Sequence, residues 1–151
     1  MTVTANGLDE LKGMAGTDLG HTGWLEITQD RVDGFADATD DHQWIHVDRE
    51  RAAAGPFGGT IAHGYLTLSL LIPLWTEILD VRQVSTKVNY GLDKVRFPAP
   101  VPVGSKVRAI ATLAEIKPIE GGVQITIDAV IERDGGDKPV CIATPIFRFY
   151  R

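Results

Sequence analysis

The sequence predicts an α+β fold in which an antiparallel sheet curls around one long buried helix, and three observations predict it. Residues 62–79 carry Leu66, Leu68, Leu70, Leu71, Ile72, Leu74, Ile78 and Leu79 with almost no polar face. A helix that is apolar nearly all round has to be wrapped by the rest of the chain. In the second half, Val123, Ile125, Ile127, Ala129 and Ile131 alternate with Gln124, Thr126, Asp128, Val130 and Glu132. That is the period-two pattern of a sheet with one buried face. Finally, the helical patterns precede the strand patterns, dividing near residue 80 with no Pro/Gly/Ser linker, which is the α+β order.

In chain order, Leu8, Leu11 and Met14 have helical spacing and predict a short helix over 7–15. Trp24 and Ile27 predict a strand that ends near Thr28. Thr28 can then cap a helix whose inner face is Val32, Phe35 and Ala36. That helix should fail at Thr39-Asp40-Asp41, where residues that bond their own backbone cluster. A short helix from Asp48 to Ala54 follows, with Asp48 at its start and Gly55 as its stop. Gly55 to Gly59 is a loop, and the apolar helix follows it. Val107, Ala109, Ala111 and Leu113 form one strand, Val123 to Ile131 a second, and the alternating run Val140, Ile142, Thr144 and Ile146 a third. Gly121-Gly122 and Gly135-Gly136 punctuate them as hairpin turns would, and Pro145 suggests a sheet edge or a bulge.

Composition bounds the function. The chain has 151 residues, 44% hydrophobic and 23% charged, enough to bury an ordinary core in one domain spanning 1–151. Fifteen Lys and Arg against 20 Asp and Glu leave a net charge of −5, which argues against nucleic-acid or anionic-membrane partners. One cysteine, Cys141, forms no internal disulfide. The first residues show no basic segment leading into an apolar run, and no apolar run approaches the roughly 20 residues a membrane span needs. A soluble, cytoplasmic protein is the expectation.

Titratable groups concentrate in one window. His42 and His46 lie among Asp37, Asp40, Asp41, Asp48 and Glu50, and His63 lies not far beyond. Asp41 and His46, five apart across a turn, could point a carboxylate and an imidazole into one cleft, or could merely cap a turn and pack under the sheet. His42 and His46 stand four apart, but no Glu follows His42 as the H-E-x-x-H pattern requires, so no metal is expected. The chain has no G-x-S-x-G elbow, and the Gly55–Gly59 stretch lacks the ending of a phosphate-binding loop. Gly64 stands at the entrance of the apolar helix, where backbone N–H groups lack intrahelical partners and a glycine admits a close carbonyl oxygen. That is one way to build an oxyanion hole. Between Arg82 and Arg108 six basic residues, including Lys94 and Arg96, face one acidic residue, Asp93. Such a local reversal suits a ligand with phosphates at one end, and equally a solvated sheet face.

Three stretches, F-A-D-A-T-D-D-H-Q-W-I-H (Phe35 to His46), G-T-I-A-H-G-Y (Gly59 to Tyr65) and V-R-F-P-A-P-V-P-V-G (Val95 to Gly104), resemble the MaoC-like (R)-specific enoyl-CoA hydratases. The resemblance runs from about Trp24 to the C-terminus. It implies the hot-dog fold, a homodimer joined through its sheets, and reversible syn hydration of a trans-2-enoyl-CoA to a (3R)-3-hydroxyacyl-CoA. The family signature Ser/Thr-Gly-Asp-x-Asn-Pro-Leu/Ile/Val-His implies that Asp41 and His46 are catalytic, holding one water and dividing the acid and base roles. In that reaction the Gly64 N–H at the helix entrance would take the thioester oxygen, Gln43 could still offer an amide to water or substrate, and the basic segment with Lys94 and Arg96 would meet the CoA phosphates. No metal or redox cofactor is implied; CoA belongs to the acyl-CoA substrate. A hot-dog thioesterase and a non-catalytic acyl-CoA-binding or dehydratase partner subunit are the alternatives. Three positions depart from the signature: Asp40 stands at its glycine, and Gln43 and Trp44 replace its Asn and Pro. Asp40 is expected to turn outward and bond N–H groups of the turn, since its charge beside Asp41 would disfavour ionisation there.

Overall fold

The computed structural model describes residues 1–151 and contains, in chain order, β1 (Val3–Ala5), α1 (Leu8–Lys12), β2 (Thr17–His21), β3 (Leu25–Glu26), α2 (Gln29–Thr39), α3 (Trp44–Val47) and α4 (Arg49–Ala53). The second half continues with α5 (Gly64–Ser69), α6 (Leu71–Ile78), β4 (Leu79–Val81), β5 (Thr86–Arg96), β6 (Lys106–Ile119), β7 (Gly122–Arg133) and β8 (Cys141–Tyr150). The main sheet is antiparallel in the order β2-β6-β7-β8-β5, with β3 also paired to β6. A separate parallel pair, β1 with β4, joins the N-terminus to the end of α6. The sheet wraps α5 and α6 in the hot-dog arrangement. One cluster of 30 buried residues fills the space between, from Ala5 to Phe149. Each fully buried Leu or Ile in it contributes about 1.5–3 kcal/mol.

Several elements follow the sequence closely. Thr28 caps α2, its Oγ1 accepting from the Arg31 N–H at 3.2 Å, and Asp48 caps α4 by accepting from the Arg51 N–H at 3.0 Å. Strand β7 buries Val123, Ile125, Ile127, Ala129 and Ile131, and β6 buries Val107, Ala109, Ala111 and Leu113. Glycine-led turns join β6 to β7 and β7 to β8, with Gly121 and Gly135 both at φ 75°.

Other readings need correction. The long buried helix is two helices, interrupted at Leu70 with ψ −7°. Pro73 has no N–H to give the Ser69 carbonyl and its ring crowds that oxygen, so the regular ladder cannot pass through. Nor is this pair buried all round: Tyr65 is 71% exposed and Ile72 37%. In β8 the buried side chains are Cys141, Ala143, Phe147 and Phe149, with Pro145 and Ile146 joining them, so the run through Ile142 and Thr144 lies on the opposite face. Pro145 sits in a strand flanked on both sides, within a gap in the pairing to β7 and beside a register shift in β5. Of the two alternatives the sequence offered, it marks a bulge-like irregularity and not a sheet edge. Gly55 does not stop α4 by a left-handed turn. It lies flat against Trp44, where an added Cβ would fall 2.9 Å from the indole. Strands β1, β2, β4 and β5 and helix α3 were not foreseen.

Candidate active site

The local sequence brings three side chains together at the junction of α2, α3 and α5. Asp40 ends α2 in the left-handed conformation, φ 58° and ψ 24°, and this turns the chain so that Asp41 faces α3. His46 then lies on α3, buried at 6% exposure. His63 is the residue before α5, buried at 2%. The Asp41 carboxylate and the two imidazoles place one ligating atom each within 4.8 Å of one another.

Hydrogen bonds define the imidazole tautomers, because a carbonyl oxygen can only accept. Nδ1 of His46 lies 2.6 Å from the Ile61 carbonyl and must carry its hydrogen toward it, which leaves Nε2 with the free lone pair. Nε2 of His63 lies 2.9 Å from the Asp41 main-chain carbonyl and donates there, which leaves Nδ1 as an acceptor without a partner. Burial pushes the His46 pKa below the ordinary imidazole value, opposed by the Ile61 bond and the Asp41 charge and aided by His63. His46 is therefore a neutral base at neutral pH.

Neighbouring backbone holds that base in place. The Ile61 N–H donates to Ile45 O at 3.0 Å, and the Ala62 N–H donates to Val101 O at 2.8 Å. Beneath them the Gln29 amide donates to His46 O and to Asp33 Oδ1, both at 2.8 Å, and accepts from the Thr60 hydroxyl at 2.7 Å. Gln29 thus ties α2 to α3 and to the segment before α5. A cavity of about 290 Å³ opens beside His46, lined also by Ile61, Gly64, Thr67, Phe97 and Val101. The two rings stack with centroids 3.9 Å apart and planes 24° from parallel.

The other predicted residues lie around this centre. Gly64 opens α5 on the cavity wall, and its missing side chain is explained by Phe97, whose ring would lie 3.1 Å from an added Cβ. Gln43 is exposed and its side chain caps nothing; its carbonyl accepts the His46 N–H at 3.0 Å. Lys94 and Arg96 are exposed on β5, just before Phe97. Asp40 is exposed as expected, but its carboxylate bonds none of the turn's N–H groups. His42 pairs with Asp37 at 2.9 Å, away from the cluster. Gln29 was not singled out by the sequence, and His63 was noted among the titratable groups and in the Gly59–Tyr65 stretch without being given a role. For Gln29 the only signal was a polar residue in the first turn of an otherwise amphipathic helix.

Comparison with known proteins places the chain in a family. The family description "MaoC like domain" matches residues 10–133. The chain is 52% identical over 147 residues, 97% of each protein, to 3-hydroxyacyl-thioester dehydratase Z of Mycobacterium tuberculosis. It is 42% identical over 140 residues to nodulation protein N of Rhizobium leguminosarum, covering 90% of this chain and 86% of that one. Among solved structures, the monoamine oxidase regulatory protein from Archaeoglobus superposes with a TM-score of 0.77 at 24% identity, over 100% of this chain and 98% of that one, a likeness of fold. The chain belongs to the MaoC-like domain family, as a dehydratase/hydratase of that type on the hot-dog fold.

Proposed function

We propose that the protein catalyses reversible hydration of a trans-2-enoyl-CoA to a (3R)-3-hydroxyacyl-CoA, with Asp41 and His46 as its catalytic pair. The observation that carries this reading is a buried imidazole on the wall of a cavity that also receives the start of α5 at Gly64, with the Asp41 carboxylate within 4.8 Å of that imidazole. One water held between the Asp41 carboxylate and His46 Nε2 would attack C3 while Nε2 takes its proton. Charge then develops on the thioester oxygen, where the Gly64 N–H stands as donor. The imidazolium returns the proton to C2 on the same face, which gives syn addition, and Asp41 keeps the water oriented and offsets the imidazolium charge. The (R) configuration and the CoA carrier rest on the family resemblance, and the name of the 52%-identical relative gives the same reaction class in the reverse direction.

The test is loss of enoyl-thioester absorbance with crotonyl-CoA. Asp41→Asn and His46→Gln should each lower turnover by about two orders of magnitude or more, and the double variant should lose little further. Turnover near that of the unchanged protein in either variant would remove the assignment. Release of free thiol in the same assay would favour the thioesterase, and an inert protein with an intact fold the partner subunit.

The assembly we propose is a homodimer. Strand β5 pairs with β8 on one side only, and Val88, Tyr90 and Leu92 stand exposed along it. An eleven-residue strand unpaired on one side, with these three apolar side chains exposed on it, is a ready template for a second strand. The cytoplasm remains the proposed location, as expected from the lone cysteine of the sequence; no helix is long and apolar enough to cross a membrane.

A further inference from the structure

We propose that His63 is a positioning residue for the reaction proposed above, holding the Asp41 main chain in register with the His46 ring. In the stretch between α2 and α3 that carries Asp41, the one side-chain anchor of its own is the exposed His42, bonded to Asp37 at 2.9 Å. Asp40 and Gln43 make no side-chain bond there, and the Asp41 carbonyl is held by one side chain, the Nε2–H of His63 from 22 residues away. The same imidazole packs against two rings, with Phe35 tilted at 4.9 Å and His46 stacked at 3.9 Å. One side chain therefore fixes both members of the catalytic pair, the carboxylate through its backbone and the imidazole through its face.

The orphaned nitrogen makes the choice of residue informative. Nδ1 of His63 is buried and bonds nothing, so the fold carries the cost of a desolvated acceptor there. A phenylalanine would fill the same space against Phe35 and His46 without that cost. What it could not supply is an N–H at the reach of Nε2, and the bond to Asp41 O is the one polar contact the ring makes. A glutamine could supply that N–H without the ring. The two contributions are thus separable by substitution.

Two measurements decide the matter. Nitrogen-15 NMR of the imidazoles in the unchanged protein should show His63 as the Nε2–H tautomer and His46 as the Nδ1–H tautomer. A His63 found as Nδ1–H would overturn the proposal whether or not the protein hydrates enoyl-CoA, whereas the correct tautomers with no hydration would overturn the hydratase reading alone. In kinetics with crotonyl-CoA, His63→Phe should lower kcat about thirtyfold with KM changed less than about threefold, as expected when a reacting group is misplaced but binding is kept. His63→Gln should restore kcat to within about fivefold of the original by returning the donor. Full turnover in His63→Phe, or a His63→Gln no better than it, would show that the side chain only fills space.

Discussion

At the scale of single residues, His46 sets the response to pH. Its buried ring prefers the neutral form in the folded chain, whereas in the unfolded chain it takes a proton near the ordinary value of 6.5. The unfolded state therefore binds more protons below that value, so this contribution to stability is complete above about pH 6.5 and is lost as pH falls toward the lower folded pKa. His42 works in the opposite sense, because its bond to Asp37 raises its pKa, but it is fully exposed and solvent screens it. Melting curves between pH 7 and 5 should show a Tm that declines with acid, and a shallower decline in His46→Gln. The acid limb of kcat/KM should lie below the usual imidazole range; a limb at or above 6.5 would contradict a buried neutral base. Asp40 illustrates a separate point. Its left-handed φ of 58° is what the family's signature glycine supplies freely, and aspartate is among the few side chains that accept it. The departure is therefore one of backbone compatibility, with the extra charge directed to solvent.

At the scale of elements, β5 joins surface chemistry to the site. It carries Lys94 and Arg96 and ends one residue before Phe97, which covers Gly64. If these cations meet the CoA phosphates, Lys94→Ala or Arg96→Ala should raise KM for a CoA thioester more than it lowers kcat, with a smaller effect on a pantetheine thioester that lacks the nucleotide. Equal effects on the two substrates would reduce the strand's charge to ordinary solvation. The same strand shows what could and could not be read from the sequence. β7 was legible because a long apolar face alternates with a polar one; β5 alternates too, Val88, Tyr90 and Leu92 with Lys87, Asn89 and Asp93, but the run is short, is interrupted by Gly91 and leaves its apolar face exposed in the single chain. β8 misled because isoleucines occupy its outer face at 142 as well as its inner region at 146. Helix α3 is a single turn, too short for a periodic signal. The break at Leu70 was encoded in Pro73, but the apolar residues on both sides hid it. For the site, Asp41 and His46 stood out by their spacing across a turn. Gln29 and His63 act through carbonyls of residues 17 and 22 positions away, and no local pattern records such partners.

At the scale of the molecule, the proposed homodimer predicts that the protein sediments as two chains. The paired substitution Tyr90→Glu with Leu92→Lys, on side chains exposed in the single chain, should give one. An unaltered sedimentation coefficient in that variant would move the interface elsewhere. The position of β5 then has a thermodynamic consequence. If one strand offers its edge to a second protomer and its cations to a nucleotide-bearing substrate, the two associations share a free energy. Linkage makes that coupling reciprocal: a CoA thioester that binds the pair more tightly than the single chain must strengthen the pair by the same factor. Turnover per chain would then fall on dilution, and saturating substrate would postpone the fall to lower protein concentration.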